Sequence, residues 1–379
     1  MDRNKPTALF ISLERRLLED GSPVIGRLQD QVAGLTEAIF LVLAKDKTEK
    51  KYGNLRVIPT GSWNRLFYVF DALVKTRKII SEVKIDAVVT QDPVETALIG
   101  WAAASWAGAK LIVQDHGYHF HGDYYRKESW LNRLRYLFAK WVIKRADAVR
   151  VVSKRTEEAL VKLGVDQNKI VRFPVAVKYE VRGTQYDNAP YSVLRTPYFL
   201  LAARFVPIKR IDLAIHAFSL IVSRSSHVAR PASQVKLLIV GRGPLEVYVK
   251  EKIAEFGLAD RVEVIPWTDD LNGLYRGAIA TLITSDREGF GMTAVESLAN
   301  GTPVIMTDVG CAGEVIKHGV NGIVVPIGDV EALSRAMLTM LDGQARAALN
   351  VTLPQVQSDA VTTLSDLVTR TVETEHRNA

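Results

Sequence analysis

The stretch "SDREGFGMTAVESLANGTPVI", residues 285–305, decides how this chain is read. Directly before it, "AIATLIT" is a run of small and β-branched residues of strand length. Within it, "TAVESLA" has helical character and is closed by Asn300-Gly301 as a C-terminal stop. Pro303-Val304-Ile305 then opens another strand, so the unit is strand, loop, helix, strand. Glu288 falls at the carboxyl end of the first strand. Gly289, Phe290 and Gly291 form the turn, Met292 and Thr293 begin the helix, and Glu296 lies about one turn into it. An open parallel sheet binds ligands outside the carboxyl ends of its strands. A helix start offers free N–H groups to an anion, and glycines let those amides approach a phosphate because no Cβ intervenes. A glycine turn alone is more often just a tight, solvated connection. The second carboxylate favours a ligand site, where an acid accepts hydrogen bonds from sugar hydroxyls.

The 379 residues suffice for two ordinary domains, and 47% hydrophobic with 24% charged residues is the balance of a globular chain. A single cysteine, Cys311, excludes an internal disulfide and points to a reducing compartment. The apolar part of "MDRNKPTALFIS" is too short for a signal peptide and reads as a first strand. The longest apolar run, 97–109, is too short to span a bilayer, and Asp92-Pro93-Val94-Glu95 before it reads as its N-cap, first-turn proline and capping-box acid. The expected location is the cytoplasm, with a peripheral seat at the inner face of the membrane as the one approach to lipid. Charge is uneven. Residues 1–178 hold 30 Lys/Arg against 20 Asp/Glu, a net +10, and the remainder 19 against 22, a net −3. A basic first half suggests an anionic partner. Zinc-finger spacing, RNA-binding aromatic motifs and long basic runs are absent from the sequence, so nucleic acid is not expected. An anionic membrane surface or anionic lipid substrate fits the charge at least as well.

Strand-like runs fall at 8–12, 38–43, 55–58, 87–90, 110–113 and 148–152, with helical stretches between them. A second alternating series follows at 198–203, 235–240, 261–265, 279–284, 303–306 and 322–325, and Asp329 caps a helix from 330. Alternation at this spacing predicts an α/β fold of two doubly wound, Rossmann-like domains facing a central cleft. The expected domains are 1–180 and 197–355. Residues 181–196 are the linker, and a polar helical segment at 356–379 is a candidate to cross back to the first domain. The helices 63–78 and 130–145 carry aromatic stripes flanked by basic residues. Such stripes usually pack into a core, and the alternative is an anionic membrane.

Other residues at strand ends carry candidate chemistry. Arg204 and Lys209 in "ARFVPIKRID" follow a strand directly, and two fixed cations there match a diphosphate of charge roughly −2. "IVGRGP" ends another strand with Gly241-x-Gly243, a weak signal that lacks the third glycine of a dinucleotide fingerprint. In "VQDHGYHFHGD", His116 comes first after a strand; His116, His119 and His121 with Asp115 and Asp123 match no strong metal spacing. With no Asp-x-Asp pair to hold a cation on a diphosphate, Arg204, Lys209 and the helix start must themselves stabilise the leaving group. Neither a metal nor a cofactor is expected. Cys311, after another strand end, reads as a small buried residue.

"EGFGMTAVE" resembles the glutamate, seven-residue, glutamate motif of retaining group-4 (GT-B type) nucleotide-sugar glycosyltransferases. "ARFVPIKRIDLAIHAF", "LLIVGRGP", "GTPVI", "GEVIKHGVNGIVV" and "GDVEALSRAM" match that family in order and spacing from Tyr198 to Met337. "VVTQDPVETALIG", "VQDHG" and "ADAVRVVS" look more loosely like members that build surface polysaccharides. The resemblance implies a retaining hexosyl transfer from a nucleotide-diphosphate sugar to a glycan or lipid-linked acceptor. It implies that Arg204 and Lys209 hold the diphosphate and Glu296 the ribose. Glu288 with the amides of Gly289, Phe290 and Gly291 would meet the transferred sugar and phosphate, and His116 the sugar near its reacting carbon. Gly241, Met292, Thr293 and Gly21 complete the substrate-binding set. Ala203 and Arg210 stand where the family usually has glycine, and the first loop offers Gly21 in place of paired glycines. A nucleotide-sugar epimerase of the same fold and a non-catalytic sugar-nucleotide binder remain as alternatives.

Overall fold

Runs of Val, Ile, Leu and Ala that are buried end to end, as strands covered on both faces must be, form the central strands of two sheets in the computed structural model. Residues 5–117, 119–120, 124–173, 196–224, 235–268, 271–352 and 361–373 are described. The first sheet holds β1 (Thr7–Ser12), β2 (Glu37–Val42), β3 (Lys50–Tyr52), β4 (Leu55–Pro59), β5 (Ala87–Thr90), β6 (Lys110–Asp115), β7 (Ala148–Val151) and β8 (Ile170–Arg172). Its order is β3-β4-β2-β1-β5-β6-β7-β8, parallel throughout except for the β3–β4 hairpin at one edge. The second sheet holds β9 (Tyr198–Ala202), β10 (Lys236–Val240), β11 (Val262–Ile265), β12 (Ala280–Ile283), β13 (Val304–Thr307) and β14 (Gly322–Val325). Its order is β11-β10-β9-β12-β13-β14, parallel throughout. In both, the strand order reverses beside the first strand, at β1/β5 and at β9/β12. Those are the points where loops diverge above the sheet and leave room for a ligand. The chain divides into two units, 1–174 with 357–379, and 175–356. The expected linker, 181–196, lies outside the described residues except for Thr196.

The period of two along the strands sorts each core into two layers. Leu9, Ile11, Ile39, Val88 and Val113 face the helices Tyr68–Glu82, Ala97–Ala107 and Trp130–Arg145. Ala8, Phe10, Phe40, Val89 and Ile112 face the opposite side, where Pro23–Val32 and Leu364–Glu373 pack. Phe10 and Phe40 stack across β1 and β2 at 4.4 Å. In the second unit Phe199, Leu201, Leu237 and Ile239 meet Ile211–Arg224 and Val330–Leu341, whereas Leu200, Leu238 and Val240 meet Leu274 and Tyr275.

Four sequence expectations change. The stripes on 63–78 and 130–145 do not form core: Trp63 is 82% and Trp130 72% exposed. The smaller Ala72, Thr76 and Ile79, and Ala139, Val142 and Ile143, are what these helices bury. The first of these helices begins only at Tyr68, after a 3-10 turn at Arg65–Phe67, and runs on to Glu82. The helix after Asp92 starts at Ala97. Asp92 instead accepts the N–H groups of Val94 and Glu95, capping the turn before it. The chain's last stretch is not uniformly polar and helical. Leu364–Glu373 buries Leu364, Leu367 and Val368 beside Pro23–Val32, and the Leu364 N–H donates to Gln31 Oε1 at 3.2 Å. The short edge strands β3 and β8, three residues each, have no sequence signature of their own.

Candidate active site

At the switch point of the second sheet, the loop after β9 and the loop after β12 are fastened together. Lys209 Nζ lies 2.5 Å from Glu288 Oε1, and Ser285 Oγ donates to the same oxygen at 2.7 Å. Both ends of this pair are mostly buried, at 19% and 14% side-chain exposure, so water screens it weakly. Thr284 Oγ1 donates to the carbonyls of Lys209 and Arg210, each at 2.9 Å, and the Asp286 N–H donates to the Ile208 carbonyl at 2.9 Å. Arg210 has φ 45°, the left-handed region that costs a side-chain-bearing residue roughly 1 kcal/mol or more. Its guanidinium meets Asp212 at 3.2 Å and Asp286 at 3.1 Å, which offsets that strain and binds the two loops further. This is how an arginine occupies the place where the resemblance leads one to expect glycine. Arg204, at the start of the same loop after β9, is exposed and forms no ion pair among the described residues.

The glycines shape the rest of this surface. Gly291, at φ 90°, is the N-cap of Met292–Ala299, and Phe290 before it is buried. Gly310 passes beneath the turn, where a Cβ would stand 2.5 Å from the Phe290 carbonyl and 2.9 Å from Glu288 Cβ. The Cys311 N–H, next along, donates to Phe290 O at 2.8 Å, and Cys311 is fully buried. Met292 and Thr293 are half-buried in the first turn of the helix. Glu296, one turn in, accepts from the Tyr275 hydroxyl at 2.8 Å, and Tyr275 is itself buried. At Gly241, a Cβ would collide with the Ala203 carbonyl at 1.9 Å, so the loops after β9 and β10 touch through bare backbone. Lys209, Glu288, Gly289, Phe290, Gly291, Glu296 and Gly241 are thus all gathered at the carboxyl ends of β9, β10 and β12. Sequence reading does not single out Ser285, although its spacing of three from Glu288 is a usable signal. Tyr275 has no local signal, because only the strand order brings it to Glu296.

His116 and Gly21 belong to the first unit. His116 follows β6, beside the buried Asp115, whose Oδ1 accepts the Gly117 N–H at 3.0 Å and lies 3.6 Å from His119 Nδ1. Arg150 is buried on β7, donates to Gln114 Oε1 at 2.6 Å and stacks on Phe173. His116 is partly exposed as a residue, yet protein surrounds it closely enough that burial, with the Arg150 charge second, pushes its pKa down to about 4. His116 is therefore a neutral imidazole near pH 7. Burial also lowers Arg150, to about 10, which leaves it cationic. Gly21 lies in an exposed turn at φ 73° with open space where a Cβ would stand. His121 and Asp123 of the histidine-rich loop lie outside the described residues.

Two doubly wound parallel sheets, one carrying a cation–carboxylate pair at its switch point, define the GT-B architecture. The chain belongs to the glycosyl transferases: residues 187–351 match the group 1 glycosyl transferases and residues 46–176 match a glycosyl transferase 4-like domain. An exopolysaccharide phosphotransferase of Streptomyces coelicolor is 28% identical over 284 residues, covering 73% of this chain and 27% of that protein. A D-inositol 3-phosphate glycosyltransferase of Rhodococcus opacus is 30% identical over 218 residues, 54% of this chain and 48% of that one. The chain thus spans between about a quarter and a half of these relatives' lengths. HepE of Anabaena, solved with UDP and glucose, superimposes over 98% of this chain and 100% of its own with a TM-score of 0.71 at 18% identity, a likeness of fold. Among the described residues no helix is long and apolar enough to cross a membrane.

Proposed function

We propose that this protein transfers a hexose from a nucleotide-diphosphate sugar to a glycan or lipid-linked acceptor, with retention at the anomeric carbon and without a metal ion. We assign it to the inner face of an anionic membrane. The observation that carries the reading is the Lys209–Glu288–Ser285 cluster at the β9/β12 switch point, beside the start of Met292–Ala299. In this reading Lys209 and Arg204 receive the negative charge that builds on the diphosphate as its bond to the sugar breaks. The amides of Gly289, Phe290 and Gly291 meet the same phosphate at the helix start. Glu288 contacts the sugar, and Glu296, steered by Tyr275, accepts the ribose hydroxyls. His116, neutral at working pH, contacts the sugar near its reacting carbon without adding charge. Gly241 lets the loop after β10 close beneath the nucleotide, and Met292, Thr293 and Gly21 line the substrate. The basic balance of residues 1–178 supports an anionic acceptor or surface.

The test is a thermal-shift panel of uridine, guanosine and adenosine diphosphate sugars. A ligand at about a hundred times its Kd stabilises a protein by about 2.7 kcal/mol, a rise of several degrees at most. One base class should give that rise, and Lys209→Ala should reduce it. No shift with any member would remove the donor reading. Isomerisation of the donor sugar without acceptor would identify an epimerase instead.

A further inference from the structure

Periodicity normally points an apolar stripe at the core, and this chain twice does the reverse. Trp63, Leu66, Phe67, Phe70 and Val74 repeat at helical spacing, and all are exposed. Trp130, Leu134, Leu137 and Trp141, at i, i+4, i+7 and i+11 of the next long helix but one, are exposed as well. Both helices pack against Ala97–Ala107 on one side of the first sheet: Arg77 lies over Trp106 at 5.2 Å, and Trp101 meets Trp141 edge-on at 5.1 Å. The two stripes therefore flank one helix on one face, where Trp106 is itself partly exposed. Exposed apolar stripes of that size on a folded unit mark a contact with something else.

Charge selects the partner. Trp130–Arg145 carries five Lys/Arg and no acid, and Arg145 covers Trp141 at 4.1 Å. Aromatic residues bordered by cations suit the headgroup region of an anionic bilayer. At Leu137 the Trp130 stripe also borders a mostly apolar groove of ≈ 320 Å³, whose lining is completed by Arg126, Lys127, Arg133 and Tyr136. Arg126 is held over the Tyr136 ring at 5.0 Å, and Arg133 Nε donates to the Arg126 carbonyl at 3.3 Å, so two of the three cations have fixed stations. Leu137 belongs to both groove and stripe.

We propose that one anionic membrane lipid is seated here, its phosphate at the cationic border formed by Arg126, Lys127 and Arg133 and its tail running from the apolar groove along Leu134, Leu137 and Trp141. The inference rests on the membrane reading above and adds to it a discrete headgroup site. Guanidinium groups suit it because their planar fork meets two phosphate oxygens at once.

Three probes separate the seat from diffuse attraction: dodecyl phosphate below micelle formation, inorganic phosphate without a tail, and dodecyl maltoside without a charge. The full chain should show a saturable blue shift of tryptophan fluorescence with dodecyl phosphate only. Arg126→Glu with Arg133→Glu should abolish that shift and weaken flotation with phosphatidylcholine/phosphatidylglycerol vesicles by at least roughly thirtyfold. Lys75→Glu with Lys78→Glu should weaken flotation similarly and leave the dodecyl phosphate shift intact. Lys127→Glu, at an exposed position, should act in the direction of the first pair to a smaller extent, and melting temperatures should hold in all three. Equal losses of dodecyl phosphate binding in the two charge-reversed pairs, or a groove variant that binds it like wild type, would overturn the seat while leaving the membrane reading standing. Inorganic phosphate binding as tightly as dodecyl phosphate would also overturn it, as a site for free phosphate. If wild type ignores the anionic vesicles at low salt, the membrane reading fails and the seat falls with it.

Discussion

Removal of the Lys209 ammonium tests the site most directly. A diphosphate oxygen about 4 Å from a unit cation gains about 4 kcal/mol at the effective dielectric constant near 20 that suits partly buried protein groups. That gain is not all available for catalysis. Lys209 is already engaged with Glu288 at 2.5 Å, and a diphosphate must share it or displace the carboxylate. Charging about 1–2 kcal/mol for that exchange leaves about 2–3 kcal/mol for the transition state, or on the order of a hundredfold in turnover. Lys209→Ala should therefore lower kcat for sugar transfer by about that factor. Stability should change less than the loss of turnover suggests, because Ser285 remains to bond Glu288. The assay is release of free diphosphate under saturating donor, with circular dichroism and melting as controls. Combining the variant with Glu288→Gln makes a double-mutant cycle, and the two losses should fail to add, since each change breaks the same pair. Full turnover in Lys209→Ala, or turnover restored by a divalent cation, would refute a metal-free leaving-group role for this lysine.

Two further outcomes follow from the same geometry. Tyr275→Phe removes the hydroxyl that bonds Glu296 Oε2 at 2.8 Å, and should weaken binding of the free nucleoside diphosphate by about tenfold, the scale of one hydrogen bond to a charged group. Saturated turnover should change little, Glu296→Ala should weaken nucleotide binding more, and calorimetric affinities equal to wild type for Tyr275→Phe would show that the tyrosine does not steer the carboxylate. The His116 pKa of about 4, against about 6.5 when unfolded, means that the unfolded chain binds the extra proton between those values. Its contribution is fully present above about pH 6.5, and about 3 kcal/mol is lost as pH falls through 4. Denaturant melts at pH 7 and pH 4.5 should show a smaller pH-dependent loss for His116→Gln than for wild type, and identical losses would place the burial elsewhere.

How much of the site was legible depended on whether a residue's role is set locally. Glu288, the Gly289–Phe290–Gly291 turn and Glu296 share one strand–loop–helix unit, so their spacing alone put them at a strand end and a helix start. Lys209 and Glu288 are 79 positions apart, and they meet because β9 and β12 are neighbours in the sheet. The sequence shows that each follows a strand, but not which strands pair. Tyr275 shows the same limit from the other side, since it sits on a six-residue helix that sequence patterning does not single out. Arg210 is a third case: its positive φ is invisible in a run of basic residues, and only Asp212 and Asp286 explain how the position is tolerated.

The exposed stripes show where periodicity stops being informative. Spacing of 3.6 says that a helix has an apolar face, not that the fold has anything left to cover it. Tyr68–Glu82 and Trp130–Arg145 have a second apolar face, made of small and medium residues such as Ala72, Ala139 and Val142, and that face is the one the sheet takes. Small residues let a helix approach a flat, twisted sheet closely, whereas tryptophan and phenylalanine at the same contact would hold it away and leave voids. The bulkier face is therefore turned outward by packing, and aromatic residues that look like core in one dimension become a surface. Soluble monomers rarely leave such a surface bare. The cations beside it, Arg77 over Trp106 and Arg145 over Trp141, lie against the aromatic rings and keep positive charge at the apolar border. A protein partner would need acidic residues to match that border and apolar ones to match the rings. An anionic bilayer supplies both in its headgroups and acyl chains, which is why a membrane is the partner proposed for these two helices.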